Sequence, residues 1–312
     1  MDRVDGLGNL VTREESTVVD YRGRVDRLLR RAGEAQDRPA TLLEAIHHLG
    51  EQHDEYQSAS IRKYYAALAL AVDEALATGT IPPTQEAAHR DALADRPRLR
   101  PKAAEPRTSA KKRKDVSRTE VKTVCSYLWK RGKADDKLLV RLITHGVFLG
   151  LRPSEYSDAD RQGDLLVVRT RKATNGRGLS AFRELDLADI SPAEVASLDR
   201  LIANFARASS GDLERLIDRL GARLRRACCN VRLKPFALYT TRHQAIANLK
   251  AAGKSAAEIA AVAGHKSLYT ASKAYAGSRS GWKAVPTAKA TTAMLAKFEV
   301  RPTPPRPLSP KI

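Results

Sequence analysis

The feature that most constrains this chain is a stretch it cannot bury. Residues 96–118 read RPRLRPKAAEPRTSAKKRKDVSR, with ten Lys or Arg, two acidic residues (Glu105 and Asp115) and three prolines. Taking so many like charges out of water costs more than packing around them returns. The prolines hold the backbone extended. A single core running through the middle of the chain is therefore excluded, and the 312 residues divide into regions that each bury their own apolar surface. The expected boundaries are a loose polar N-terminus at 1–16, a helical domain at 17–95, a basic linker at 96–117, a larger domain at 118–282 and a tail at 283–312. The tail ends in RPTPPRPLSPKI, a composition that predicts disorder.

Ala and Leu dominate many segments, so helix should prevail. In the first region VVDYRGRVDRLLRRA places Val19, Val25, Leu28 and Leu29 toward one face. SASIRKYYAALALAVDEALATG repeats the pattern with Ile61, Tyr65, Leu68 and Val72, until Gly79, Pro82 and Pro83 end it. The second region opens with a Ser117-x-x-Glu120 capping box and continues into the apolar helix KLLVRLITHGVFLGL. The character then changes. GDLLVVRTRKATNGRGLSAFRELDL carries β-branched runs around Asn175-Gly176, which predicts a hairpin or small sheet. Helices resume in SPAEVASLDRLIANFARAS, GDLERLIDRLGARLRRACCNV and YTTRHQAIANLKAAG, the last closed by Gly253. Ser255-x-x-Glu258 caps SAAEIAAVAG, which stops at Gly264. The expected fold class is mainly α with a small antiparallel β-sheet (α+β).

Lys and Arg number 55 against 36 acidic residues, a formal net charge of +19 at pH 7. Such an excess speaks to partners rather than to fold. Displacing counterions from a polyanion favours binding by a basic surface, so nucleic acid is the expected partner. A generic basic RNA-binding protein is the plainer reading of charge alone. A membrane surface is disfavoured, because no basic amphipathic helix with bulky apolar anchors stands out. No run of about 18 apolar residues is present, and the N-terminus lacks the apolar stretch of a secretory signal. The three cysteines, Cys125, Cys228 and Cys229, are odd in number and two are adjacent, which fits neither a disulfide framework nor zinc-ligand spacing. Buried thiols in a reducing cytoplasm are expected, and no metal or cofactor is called for.

Four stretches follow one another along the second region. GLRPSEY (150–156) ends an apolar helix with Arg152 and Glu155, and RTRKATNGRG (169–178) puts Lys172 at the lip of the hairpin. YTTRH (239–243) opens a helix with Arg242, and GHKSLYTASKAY (264–275) supplies His265 and two tyrosines. Singly, these are surface charge, a solvated lysine and a helix-ending histidine. In this order the set resembles the tyrosine recombinase (phage integrase) family. The family's first box, an arginine in a G-L-R-x-x-E context, is matched by Gly150-Leu151-Arg152-Pro153-Ser154-Glu155, and its hairpin lysine by Lys172. Its H-x-x-R box is matched in part by Tyr239-Thr240-Thr241-Arg242, its G-H pair by Gly264-His265, and its nucleophile by Tyr275. The resemblance covers roughly 118–280, and the linker and helical first region suit the family's core-binding domain.

The resemblance implies a DNA strand transferase, a site-specific recombinase or integrase that cuts DNA through a 3′-phosphotyrosyl link and releases a 5′-hydroxyl. Arg152 and Arg242 would clamp the non-bridging oxygens. Lys172 would protonate the leaving oxygen. His265, just past a helix C-terminus whose dipole favours imidazolium, would assist. Glu155 would orient or pack an arginine. Tyr239, standing where the family has histidine, can still donate a hydrogen bond to phosphate. His243 is read as a helix-packing or supporting group, and His47, His48, His53, His89 and His145 as structural. Tyr269 is read as packing, just before Thr270 as N-cap of a short helix, with Tyr275 about one turn in. The implied partners are double-stranded DNA, further copies in a homotetramer on paired sites, and accessory DNA-bending or directionality proteins, with no membrane. The implied setting is cytoplasmic and nucleoid-associated, in a prokaryote or phage host. The basic linker is either a plain solvated connector or, the favoured reading, an arm lying along a phosphate backbone between two domains that clamp DNA from opposite sides. The segment with Met294, Leu295 and Phe298 would either cap its own domain or dock on a neighbouring subunit. A DNA-binding relic of the same fold, weakened by Tyr239, and a type IB topoisomerase-like enzyme stay open as alternatives.

Overall fold

The computed structural model describes residues 15–56, 58–95, 113–170, 179–208, 210–283 and 285–299. The chain divides into two compact units, Met1–Ala110 and Lys111–Ile312. Most of the basic stretch, Lys172 with the Asn175-Gly176 turn, and the proline-rich end lie outside the described residues.

The described part of the first unit is helical: α1 (Glu15–Gln36), α2 (Leu42–Glu51), α3 (Ser58–Ala77) and α4 (Glu86–Ala94). A capping box starts α2, with the Glu44 amide donating to Thr41 Oγ1 at 3.3 Å and the Thr41 amide donating to the Glu44 carboxylate at 2.7 Å. α1 packs on α2 and α3, and α4 closes against the same two helices. Ile61, Tyr65, Leu68 and Val72 all face this core, as their helical spacing requires. Val19 does not join Val25 and Leu28 there; it is 63% exposed. Six helical residues turn the chain by about 240°, away from the Val25 face. Val18, seven residues before Val25, takes the inward register instead and is half-buried. α3 stops at Ala77, before Gly79 and the Pro82-Pro83 pair, and a further helix, α4, follows within the expected domain and buries His89 and Leu93.

The second unit opens with α5 (Arg118–Arg131), which starts at the Ser117–Glu120 capping box and stops at Gly132 with φ 69°. The apolar helix α6 (Ala134–Leu149) comes next. Strands β1 (Ala159–Gln162), β2 (Leu165–Arg169), β3 (Phe182–Asp186) and β4 (Lys289–Ala290) form one antiparallel sheet in the order β1-β2-β3-β4. Helices α7 (Pro192–Ala206), α8 (Ser210–Asn230), α9 (Leu238–Ala251), α10 (Ala256–Ala263), α11 (Thr270–Ala274) and α12 (Thr292–Glu299) complete it. The molecule is thus mainly α with a small antiparallel sheet. The hairpin sequence supplies β2 and β3, with Leu166 opposite Leu185 and Val168 opposite Arg183. β1 and β4 are too short to show a period. The core of this unit joins Leu139 and Ile143 of α6, the inward side chains of the sheet, Leu201 and Phe205 of α7, and Ile246 of α9.

α6 and α9 pack closely at one point. A Cβ on Gly146 would stand 2.3 Å from Thr241 Oγ1, so glycine there is what lets α9 approach. The segment expected as either cap or docking helix lies on its own unit: Ala290 of β4 pairs with Leu185, and α12 packs against α10 with Met294 buried. The expectation of buried thiols holds for Cys228, while Cys125 is half-buried and Cys229 exposed. Adjacent helical residues point about 100° apart, so Cys228 and Cys229 cannot both face one core.

Candidate active site

Helix ends and one turn bring the expected residues together. α6 stops at Gly150 with φ 67°, and Pro153 holds the preceding Arg152 in extended backbone at φ −70°, ψ 145°. A 3-10 turn over Pro153–Asp158 then carries Glu155 inward. Glu155 accepts from the Arg152 backbone amide at 2.7 Å and from Arg152 Nη1 at 2.5 Å. It also accepts from Arg183 Nη2 at 2.7 Å and Nη1 at 3.2 Å, and Arg242 Nη1 lies 3.8 Å away. Burial alone would raise the Glu155 carboxyl, but the charges of Arg183, Arg242 and Arg152 outweigh it and bring the pKa down to about 2. Three guanidiniums around one carboxylate leave a surplus of positive charge. Among the described residues, Arg152 Nε is buried with no hydrogen-bond partner.

α9 supplies the other half. Residues 239, 242 and 243 share one face of it by helical spacing. Arg242 is fully buried and donates from Nη1 to the Gly150 carbonyl at 2.5 Å and from Nη2 to the Ala263 carbonyl at 2.6 Å. Its Nε donates to the Tyr275 hydroxyl at 3.2 Å. The same hydroxyl lies 3.2 Å from Tyr239 Oη and 3.3 Å from His265 Nε2. Arg242 Nη2 also points at His265 Nε2, at 3.3 Å. A guanidinium only donates, so Nε2 is the accepting nitrogen and the His265 proton sits on Nδ1. Tyr275 Oη therefore accepts from Arg242 and can donate to His265. The His243 ring lies against the Tyr275 ring, with centroids 4.6 Å apart, which matches its reading as a supporting group.

No protein-family model matches the chain, and no curated protein matches it in sequence. Solved structures do resemble it. A lambda integrase dimer bound to a COC′ core site superimposes with a TM-score of 0.55 at 18% identity, over 88% of this chain and 75% of that one. A Tn1549 transposon integrase in complex with transposon right end DNA gives 0.50 at 15% identity, over 84% of this chain and 91% of that one. The chain has the fold of lambda integrase. Within this integrase fold, Tyr239, Arg242, His265 and Tyr275 converge on one point, and the charge of Arg152 is close enough to pull the Tyr239 phenol down. Lys172 lies outside the described residues.

Three details differ from expectation. His265 is not an imidazolium: burial, then the charges of Arg242, Arg152 and Arg183, bring its pKa down to about 3. A helix dipole is a fraction of a charge, and burial together with three nearby guanidiniums overwhelms it. Tyr269 is not packed but 51% exposed, and it occupies the N-cap position of α11 itself, with Thr270 as first helical residue. Tyr275 follows the last residue of α11 in extended backbone, which turns its ring out of the helix and toward α9. Burial raises the Tyr275 phenol, against the opposing pull of Arg242. Tyr239 is held below the usual phenol range: burial acts upward, but Arg242, the hydrogen bond with Tyr275 and Arg152 outweigh it.

Sequence reasoning missed Arg183, fully buried in β3 with Nε donating to the Val262 carbonyl at 3.0 Å. The signal was in the strand: with Leu185 inward, period two puts Arg183 inward and Phe182 outward, and Phe182 is 53% exposed. It also missed the α9 side chains that hold the chain after the tyrosine. Gln244 donates to the Ser280 carbonyl at 2.7 Å, and the Trp282 amide donates to Asn248 Oδ1 at 2.7 Å. Among the described residues, no group of three His, Cys, Asp or Glu is placed to hold a metal ion. No described helix is long and apolar enough to cross a membrane.

Proposed function

We propose that this protein is a site-specific DNA recombinase that cuts and rejoins double-stranded DNA through a 3′-phosphotyrosyl intermediate on Tyr275. One observation carries the reading: the Tyr275 hydroxyl meets Arg242, His265 and Tyr239 within 3.3 Å. Around it, Arg152, Arg183 and Arg242 outnumber Glu155, a balance suited to an anionic transition state.

The phosphate docks beside Arg152 and Arg242; Arg242 takes a non-bridging oxygen with the donors that now meet Tyr275 and His265, while its bonds to the Gly150 and Ala263 carbonyls hold it in place. Tyr275 Oη attacks phosphorus and its proton passes to His265 Nε2. In the free protein His265 is a weak base, at about 3. A bound phosphodiester cancels part of the arginine field, so the base strengthens when substrate arrives. The bond from phosphorus to the 5′-oxygen breaks, and Lys172 gives that oxygen its proton. Tyr239 donates to a phosphate oxygen in the place of the family's histidine. Attack of a 5′-hydroxyl on the phosphotyrosine reverses the steps without a nucleotide cofactor.

The net charge of +19 suits a DNA partner. Lambda integrase has been solved as a dimer on a core site and as a tetramer on a Holliday junction, and a homotetramer on paired sites is the assembly proposed here. The test is covalent trapping on nicked duplexes selected from a randomised pool. Wild type should leave an adduct that survives detergent, and Tyr275→Phe should abolish it while still binding DNA. Arg152→Lys or Arg242→Lys should slow it by about 10²-fold or more. Wild type that binds DNA and leaves no adduct overturns the enzyme in favour of a binding relic. Relaxation of supercoils without sequence preference points instead to a type IB topoisomerase-like activity.

A further inference from the structure

Resting on the reading of Tyr275 as nucleophile, we propose that Lys250 is a positioning residue that sets where the attacking hydroxyl stands. Lys250 lies in the last turn of α9, two turns beyond Arg242. Its ammonium donates to the Ala271 carbonyl at 2.8 Å and to the Ala276 carbonyl at 2.7 Å. These two carbonyls straddle Tyr275: one belongs to the first turn of α11, the other to the residue just after the tyrosine. A single charged group thus closes the short arc of backbone that carries the nucleophile. Among the described residues Lys250 pairs with no carboxylate, so the ammonium is committed to this arc rather than to an ion pair.

The arc needs such a tie. α11 has five residues, too few to hold itself as an isolated helix, and Tyr275 sits in extended backbone beyond its end. Further along, Gly281 lies against α9 so closely that a Cβ would stand 2.3 Å from the Ala247 carbonyl. The chain is therefore bound to α9 at Lys250, before and after the tyrosine, and again at Gly281 and Trp282. The same helix carries Arg242 and Tyr239. Tying the tyrosine backbone to this helix fixes the distance between nucleophile and phosphate clamp within one rigid element. Positioning of this kind governs rate steeply, since a displacement near 1 Å costs about 10²-fold. A cation at a helix C-terminus is favoured there in any case, which explains how α9 tolerates it.

The experiment compares wild type, Lys250→Met and Lys250→Arg on the same trapped duplexes, with hydrogen exchange of residues 271–277 measured on the DNA-free proteins. Methionine keeps the stem and removes the donors; arginine restores them. Lys250→Met should form adduct about 10- to 100-fold more slowly at unchanged DNA affinity, with faster exchange confined to 271–277, and Lys250→Arg should recover most of the rate. An unchanged adduct rate in Lys250→Met overturns the proposal. If both variants lose thermal stability equally, the arginine variant decides: recovered rate at that lowered stability supports positioning, and equal rates mean a merely structural lysine. Wild type that gives no adduct dependent on Tyr275 sinks the nucleophile reading, and this proposal with it. That outcome is separate from one in which wild type cuts and Lys250→Met cuts equally well.

Discussion

The two units bury different things. Among the described residues of the first unit, His89 is the one buried polar side chain; the second buries Asp136, His145, Glu155, Arg183, Arg242, Gln244, Asn248 and His265. The first unit keeps its ion pairs outside, as with Arg22 and Glu74 at 2.9 Å. In the second, Arg183 and Glu155 pair at 2.7 Å with both side chains wholly buried. Charges taken out of water cost several kcal/mol each, and apolar side chains of the same volume hold a core at least as well. The contrast teaches that the first core serves cohesion, while the second carries a cost that cohesion does not ask for. The proposed chemistry would account for that cost, with Glu155 orienting the arginines and Arg152 and Arg242 meeting a phosphate.

The sharpest way to break this contrast is Glu155→Ala. It leaves Arg183 and Arg242 buried without a counter-charge, and a loss of about 3–5 kcal/mol is expected in the second unit. Hydrogen exchange should report it on α6, β3 and α9, with α1 and α3 unchanged; equal loss in both units would refute the separation. Leu68→Ala is the mirror experiment. Leu68 is fully buried in the first unit, and about 2–5 kcal/mol should vanish from that unit alone, read on α1 and α3 with α6 and α9 unchanged.

Acid should separate the units more gradually. His145 and His243 lie at about 4, each lowered first by burial, and His265 at about 3. Each folded value is below the unfolded value of about 6.5, so the unfolded chain binds more protons in between. Their stabilisation is therefore complete above about pH 6.5 and is lost as pH falls toward 4 and then 3. Glu155, at about 2, extends the loss below the ordinary carboxylate range. Urea unfolding between pH 7 and pH 4 should show the second unit weakening progressively, and a flat profile there would count against the buried neutral histidines. The smallest effect belongs to the surface. Arg22→Ala removes the exposed pair with Glu74 and should leave the unfolding midpoint within error.

Much of the fold was legible because its signals are local. The Ser117 and Ser255 capping boxes, with their glutamates three residues on, mark helix starts wherever they stand. The glycines at 150, 253 and 264 mark ends because each adopts positive φ. Val19 misled because two adjacent valines differ in register by a single residue, and only packing selects between them. β1 and β4 stayed hidden because strands of four and two residues are defined by their partners. At the site, Arg152, Arg242, His265 and Tyr275 were singled out through a resemblance to the tyrosine recombinases, and the fold brings them together. Their protonation was not legible, since the field at His265 comes from residues distant in sequence.

By itself, then, the sequence determined two separate cores, most helix boundaries, a strong excess of positive charge and a short set of candidate residues. Caps, turns and apolar periods act within a few residues, and charge acts wherever the chain goes. Tertiary structure alone decided which groups touch. Arg242 reaches a carbonyl 92 residues away, Arg183 reaches Glu155 across 28, and Lys250 spans 21 and 26 residues to close on both sides of Tyr275. Such contacts have no local signature, because they exist only once separate elements have packed and water has left the space between them.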